Sequence, residues 1–213
     1  IAGAAGADYA IFQKAMIQGV QNKLNEKIYS LKSLQELYPN SSYIDDGVYE
    51  MAYANFVANN YEQAKSGFND LIRRFPNSSY VPKAMLNIGL VYFNTNDDNN
   101  ALLAYKAVVA KYPNTAEAKE AVLAIKNIYV DKGNSAEFLA YAKNTPGAAI
   151  SASAQDSISF EAANNLYLKG KCDESVPAFS TYISEFANGY FINEAHFYRA
   201  ECLLKQKRND EAL

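Results

Sequence analysis

The sequence predicts an all-α fold, a solenoid of antiparallel helix pairs. Three observations predict it. First, an aromatic–Pro pair followed by Asn recurs at a fixed step. It reads Tyr38-Pro39-Asn40-Ser41-Ser42-Tyr43, Phe75-Pro76-Asn77-Ser78-Ser79-Tyr80 and Tyr112-Pro113-Asn114-Thr115, so successive prolines stand 37 residues apart. Two further steps reach Phe186-Ala187-Asn188, where the aromatic and the Asn persist without the Pro. Second, the apolar residues between these markers keep a helical period. Third, the frame runs without insertion, since three steps of 37 from Phe68 land on Phe179. A constant period of this length is the signature of stacked helical units. Such stacks offer extended binding surfaces rather than catalytic pockets.

Taken in order, Ile1 to Ala7 is a short Ala/Gly-rich stretch that reads as a flexible lead-in. It has no basic n-region and is not a recognisable signal peptide. Repeats one to four are expected over 8–146. In the second, Tyr49, Ala52, Tyr53, Phe56 and Val57 form one helical stripe. Asn59-Asn60 breaks it, and Ala64, Phe68, Leu71, Ile72 and Phe75 form the next. Pro76 ends that stripe, because Pro cannot continue a helix, and the following Ser residues offer the next N-cap. The predicted helices are 44–58 and 61–75. The same frame predicts 81–94 and 98–112 in the third repeat, around the Asn94 to Asp98 turn.

In the fourth repeat, 116–131 is predicted helical, followed by the turn Lys132-Gly133-Asn134. Its second helix is cut short at Lys143-Asn144-Thr145-Pro146-Gly147, because Pro-Gly is a strong breaker. Residues 147–154 are expected to be a loop. Repeat five and a truncated repeat six are expected over 155–213, with helices at 155–169, 173–187 and 191–206. No polar-faced terminal cap precedes Leu213, so the chain reads as a piece of a longer repeat protein. Leu203 and Leu204 would then lack cover, and such a face favours self-association or a frayed end.

Composition narrows the function classes. Of 213 residues, 49% are apolar, which suits an ordered protein. Seventeen Tyr and no Trp fit thin helical layers, where a ring can pack while its hydroxyl stays wet. A net charge of −3 with scattered basic residues is no footprint for nucleic acid. The densest basic cluster, Lys205, Lys207 and Arg208, reads as a solvated helix end. No run of apolar residues is long enough to span a membrane.

No catalytic or metal constellation emerges, and neither an enzyme activity nor a cofactor is expected. His196 is the sole histidine, too few for a metal site or a triad, and it reads as a packing residue. Asp45-Asp46 and Asp97-Asp98 fall at helix starts, where they complement the dipole. Asn40-Ser-Ser and Asn77-Ser-Ser fit a glycosylation pattern but read more simply as loop and cap residues. Cys172 and Cys202 form no metal motif.

Ala84-Met-Leu-Asn-Ile-Gly-Leu-Val-Tyr-Phe93, with Ala101, Tyr105 and Pro113 downstream, resembles a tetratricopeptide (TPR) repeat. The stretch Ser159 to Ser175 and Asn209-Asp-Glu-Ala212 are similar. The resemblance covers roughly residues 8 to 213. It implies a right-handed solenoid with small residues where paired helices cross. Ala52, Gly89, Ala163 and Ala200 match on first helices, and Ala64, Ala101 and Ala212 on second helices. Lys27 departs from this in the first repeat, as do Lys126 and Phe138 in the fourth. The resemblance also brings Cys172 near Cys202. A disulfide is then open to them in an oxidising compartment, while the favoured reading is two semi-buried small hydrophobes.

The 37-residue variant resembles the repeats of bacterial envelope TPR proteins, namely outer-membrane assembly lipoproteins and Tol–Pal-associated types. That implies a periplasmic or outer-membrane-associated protein of a Gram-negative bacterium. The family's first helices line a concave face. The residues at matching positions are Tyr49, Tyr53, Phe56, Leu86, Leu90, Phe93, Asn127, Phe160, Asn164 and Tyr167. They are either partner anchors or inter-helix packing. The expected function is a non-catalytic scaffold binding a protein or peptide segment. Self-assembly within a longer array and an accessory role beside an absent catalytic domain are the alternatives.

Overall fold

The computed structural model describes residues 6–212. Among them are twelve α-helices and no strand. Six helix pairs follow one another: α1 (Ala7–Val20) with α2 (Leu24–Leu37), α3 (Ile44–Val57) with α4 (Tyr61–Arg74), α5 (Val81–Asn94) with α6 (Asp98–Lys111), α7 (Ala116–Asp131) with α8 (Ser135–Lys143), α9 (Ala152–Leu168) with α10 (Cys172–Glu185), and α11 (Ile192–Lys205) with α12 (Asn209–Ala212). The chain divides into two compact units, residues 1–112 with α1–α6 and residues 113–213 with α7–α12. In each, sequential helices pack on one another.

The expected lead-in lies mostly outside the described residues, and α1 already begins at Ala7. The expected helix boundaries agree with the structure to within two residues, with one exception. Helix α9 starts at Ala152, three residues ahead of the expected 155. The Ser151 hydroxyl accepts a hydrogen bond from the Ala154 N–H at 3.2 Å. That N-cap lets the helix begin inside a segment whose Ser and Ala content reads as loop.

One backbone device recurs in every pair. Asn22, Asn59, Asn96, Gly133, Gly170 and Lys207 all have positive φ, and each lies 37 residues from the last. In the second pair the Asn59 N–H donates to Phe56 O at 3.0 Å and the Asn60 N–H to Asn55 O at 2.8 Å. The other five turns repeat this bonding. It is a Schellman closure, which satisfies the last carbonyls of the first helix and needs one left-handed residue. Asn and Gly tolerate that conformation, so five of the six positions are cheap and Lys207 is the costly one.

The inter-repeat loops close differently from the expected serine N-caps. Tyr43 and Tyr80 occupy the cap positions and make no side-chain capping bond. The hydroxyls of Ser41 and Ser78 instead accept from the N–H of Tyr43 and Tyr80, each at 3.2 Å. Thr115 and Asp97 are true side-chain caps.

The first unit has its core around Leu34, Val48, Ala52, Ala64, Phe68 and Leu71. Its pairs cross closely where the sequence places small residues. A Cβ added at Gly67 would lie 2.8 Å from the Ala52 Cβ, and one at Gly89 would lie 2.5 Å from the Tyr105 ring. The departing residues are absorbed by exchange of large and small partners. Opposite Lys27 stands Gly19, whose hypothetical Cβ would meet the lysine stem at 3.1 Å. Lys27, only 7% exposed, reaches past it to pair with Glu50 of α3. Beside it, the Ser30 hydroxyl donates to Gln18 Oε1 at 2.8 Å.

Truncating Lys27 should therefore hurt more than an ordinary surface change. We expect Lys27→Ala to cost about 1–3 kcal/mol, because it empties the stem's space and strips Glu50 of its partner. Lys27→Met should recover part of that loss. Chemical denaturation of both variants measures the difference.

In the second unit the fourth pair makes a similar exchange. In α4, α6 and α10 the second helix reads small then aromatic across one turn, as in Ala64 and Phe68, Ala101 and Tyr105, or Ser175 and Phe179. Helix α8 reads Phe138 then Ala142, and both are buried at 0% and 3% exposure. The aromatic enters the core one turn early and the small residue fills its usual place. Lys126 is half-buried and pairs with Glu161 at 3.9 Å.

Three expectations for the last repeats are corrected. Cys172 and Cys202 form a disulfide rather than packing as free thiols. Leu203 is fully buried against Val176, Cys202 and Ala212, since the start of α12 already covers it, while Leu204 stays 56% exposed. His196 is exposed rather than packed into the core, and the aromatic contacts of α11 are made by Phe197 and Tyr198.

Candidate functional site

In the first unit the candidate face lies on α3 and α5. Tyr49, Tyr53 and Phe56 follow helical spacing, so their rings run along one side of α3. Tyr49 and Tyr53 stack with centroids 6.1 Å apart, Tyr53 and Phe56 likewise at 6.1 Å, and Phe56 meets Tyr61 at 6.0 Å. Exposure separates them. Tyr49 is 6% exposed, stacked on Tyr80 at 4.6 Å and tilted against Phe68 at 5.8 Å. Its hydroxyl accepts from Asn87 Nδ2 at 3.1 Å. It is a packing residue joining α3 to α4 and α5. Tyr53, one turn on, is 40% exposed.

The same division holds on α5. Leu86, 37 residues after Tyr49, is buried, and Leu90, 37 after Tyr53, is half-buried. Phe93 is 46% exposed. Val57 is 45% exposed beside Tyr53 and was not among the expected residues, although it belongs to the same stripe. Near the N-terminal end of this face, burial pushes the Tyr80 hydroxyl up to about 12, helped by its hydrogen bond to Asp46. Asp45 and Asp46 sit in the first turn of α3, where dipole complementarity accounts for them.

In the second unit the candidate residues scatter. Asn127 on α7 is exposed and Asn164 on α9 is half-buried. Phe160 is a packing residue. It stacks on Phe191 at 4.5 Å and contacts Phe179 and Tyr182 at 5.9 and 5.7 Å. The Tyr182 hydroxyl, bonded to Asp156, donates order to the following loop by accepting the Phe191 N–H at 3.1 Å. Burial first, then that carboxylate, pushes it to about 12. Tyr167 is half-buried and stacks on Tyr198 of α11 at 4.6 Å. Its hydroxyl donates to Glu201 Oε2 at 2.7 Å. Tyr198 and Glu201 were not anticipated. Glu201 lies 37 residues after Asn164, so the repeat frame itself could have found it.

A cleft of about 850 Å³ opens between the end of α8 and the start of α9, lined by Leu139, Lys143, Pro146, Ile150 and Gln155 among others. None of the sequence-predicted residues lines it. Its Asn144, Thr145 and Gln155 side chains bond neighbouring carbonyls of the same segment. No group of metal-ligating side chains occurs among the described residues, nor any helix long and apolar enough to cross a membrane.

Comparisons with known proteins place the fold. The sequence profile of YfiO, an outer membrane lipoprotein, matches residues 5–79. Tetratricopeptide repeat profiles match residues 83–115 and 160–213. No curated protein matches the chain in sequence. Among solved structures, a tetratricopeptide repeat protein from Parabacteroides merdae is similar, with TM-score 0.56 at 16% identity over 96% of this chain and 75% of that one. PilF of Pseudomonas aeruginosa gives TM-score 0.51 at 13% identity over 97% and 87% of the two chains. YrrB, described as a TPR protein with an unusual peptide-binding site, gives 0.53 at 16% identity over 92% and 90%. At such identities the likeness shows the fold alone, which is the TPR-type solenoid of antiparallel helix pairs.

Proposed function

We propose that this chain is a non-catalytic protein-interaction scaffold of a Gram-negative cell envelope, which holds an extended or helical partner segment on its first-helix face. The observation that carries the reading is the split along α3 and α5. Tyr49 and Leu86 are spent on packing, whereas Tyr53 and Phe93 keep two-fifths or more of their surface in solvent. The solvent-facing part of such a ring adds no buried area to the fold. Aromatics of this kind are over-used as anchors in interfaces. TPR repeats over much of the chain support a scaffold rather than an enzyme. The envelope placement rests on the lipoprotein profile over 5–79 and on the Cys172–Cys202 disulfide, a bond that persists in oxidising compartments.

The test pairs open and packed aromatics. Tyr53→Ala and Phe93→Ala should each weaken capture of the partner from envelope extract by about 1 kcal/mol or more, with thermal stability nearly unchanged. Tyr49→Ala should do the reverse and lower the melting temperature, since it removes a buried ring. If Tyr53→Ala and Phe93→Ala melt early yet capture normally in the cold, these residues are packing and the proposed face is wrong.

A further inference from the structure

On the second unit, Lys205 of α11 is bound by its own chain in an unusual way. Its Nζ pairs with Glu201 Oε1 at 2.8 Å and also sits over the Tyr167 ring, 5.2 Å from the centroid. Glu201 is one turn back on the same helix, so the ion pair alone would be an ordinary i,i+4 contact. Tyr167 is on a different helix, α9, and its hydroxyl holds the other carboxylate oxygen at 2.7 Å. Tyr198 stacks on that ring, with centroids 4.6 Å apart. A carboxylate fixed by a phenol, beside an aromatic face, is a receptor for a cation. The Lys205 and Tyr167 contacts also hold the Glu201 carboxyl below its ordinary value, so it stays charged.

We propose that the Tyr167–Tyr198–Glu201 face accepts a lysine or arginine side chain of a basic partner segment, and that Lys205 is its resident competitor. This extends the scaffold reading and rests on it. Two features favour a basic occupant. The chain's own lysine shows that the site takes an alkylammonium. The charge is also uneven between units. The first has ten acidic and ten basic residues, whereas the second has thirteen acidic and ten basic, so the whole net charge of −3 falls on the unit that carries this face. Displacement is cheap. The Lys205 and Glu201 side chains are 57% and 35% exposed, and exposed ion pairs of this kind hold weakly. The Cys172–Cys202 disulfide anchors α11 at the residue next to Glu201, so the receptor stays in place when Lys205 leaves.

The experiment uses labelled tetralysine as the probe, followed by fluorescence anisotropy on the full chain. Lys205→Gln should bind it about fivefold more tightly than the unsubstituted protein, the scale of one exposed ion pair with one cation–π contact. Adding Glu201→Gln or Tyr167→Leu should remove the gain. Lys143→Gln removes the same charge elsewhere on the second unit and should stay within about twofold of the unsubstituted protein, and labelled tetraglutamate should bind none of them. Circular dichroism confirms that helix content is kept. Tyr53→Ala and Phe93→Ala should leave tetralysine binding alone, which separates this site from the first-unit face. The proposal is overturned if Lys205→Gln binds no more tightly than Lys143→Gln, or if its gain survives loss of Glu201 and of the Tyr167 ring.

Discussion

Gly89→Leu is expected to lower the melting temperature by roughly 6–12 °C, from a cost near the upper end of about 1–3 kcal/mol for overpacking in a chain of this size. The reason is geometric. A Cβ at residue 89 would lie 2.5, 2.6 and 3.0 Å from three atoms of the Tyr105 ring. That ring is 1% exposed, so it has nowhere to swing, and relief must come from parting α5 and α6. Gly89→Ala sharpens the test. In a helix interior, Gly→Ala ordinarily stabilises by about 1 kcal/mol. Here the sign should reverse, because even one methyl enters the ring's space. A thermal melt in which Gly89→Ala raises the midpoint would show that Gly89 is not at a close crossing.

The second large effect belongs to the disulfide. Cys172 opens α10 and Cys202 lies in α11, so the bond closes a chain segment of thirty residues. Removing such a constraint from the unfolded chain costs roughly 3.5 kcal/mol in the loop-entropy account. The Cys172→Ala/Cys202→Ala variant should lose stability of that order in the second unit. A reductant should destabilise the unsubstituted protein to match and leave the variant untouched. Cys202 is fully buried beside Val176 and Leu203, so alanine is the better substitute, as a serine would bury an unpaired hydroxyl. Equal denaturation midpoints with and without reductant, once free thiols are titrated, would mean that the bond adds nothing.

Both effects act within a fold that repeats too regularly to be misread. Recurrence of an aromatic, a Pro and an Asn at 37 residues set the number of helix pairs, their order and nearly all the ends of the eight helices from α3 to α7 and α9 to α11. These are local matters, decided by where a helix can no longer continue. Even the six Schellman turns were written locally as Asn or Gly, except at Lys207. The face chosen from family frame and spacing was only half legible. Tyr49 and Tyr53 are one turn apart with the same side chain, and nothing local distinguishes them. What separates them is Asn87, Tyr80 and Phe68, which close over Tyr49 from α4, α5 and the loop between them.

The sequence by itself determined that the chain is a run of antiparallel helix pairs, because periodicity and helix breakers act within a dozen residues. Tertiary structure alone decided what each departing residue does. Lys27 is tolerated because Gly19 faces it, and Phe138 because Ala142 yields the usual aromatic place. Cys172 meets Cys202, and Lys205 meets Tyr167, because neighbouring pairs bring residues some 30 to 40 positions apart into contact. Packing is a property of such partners, and a single helix does not contain them.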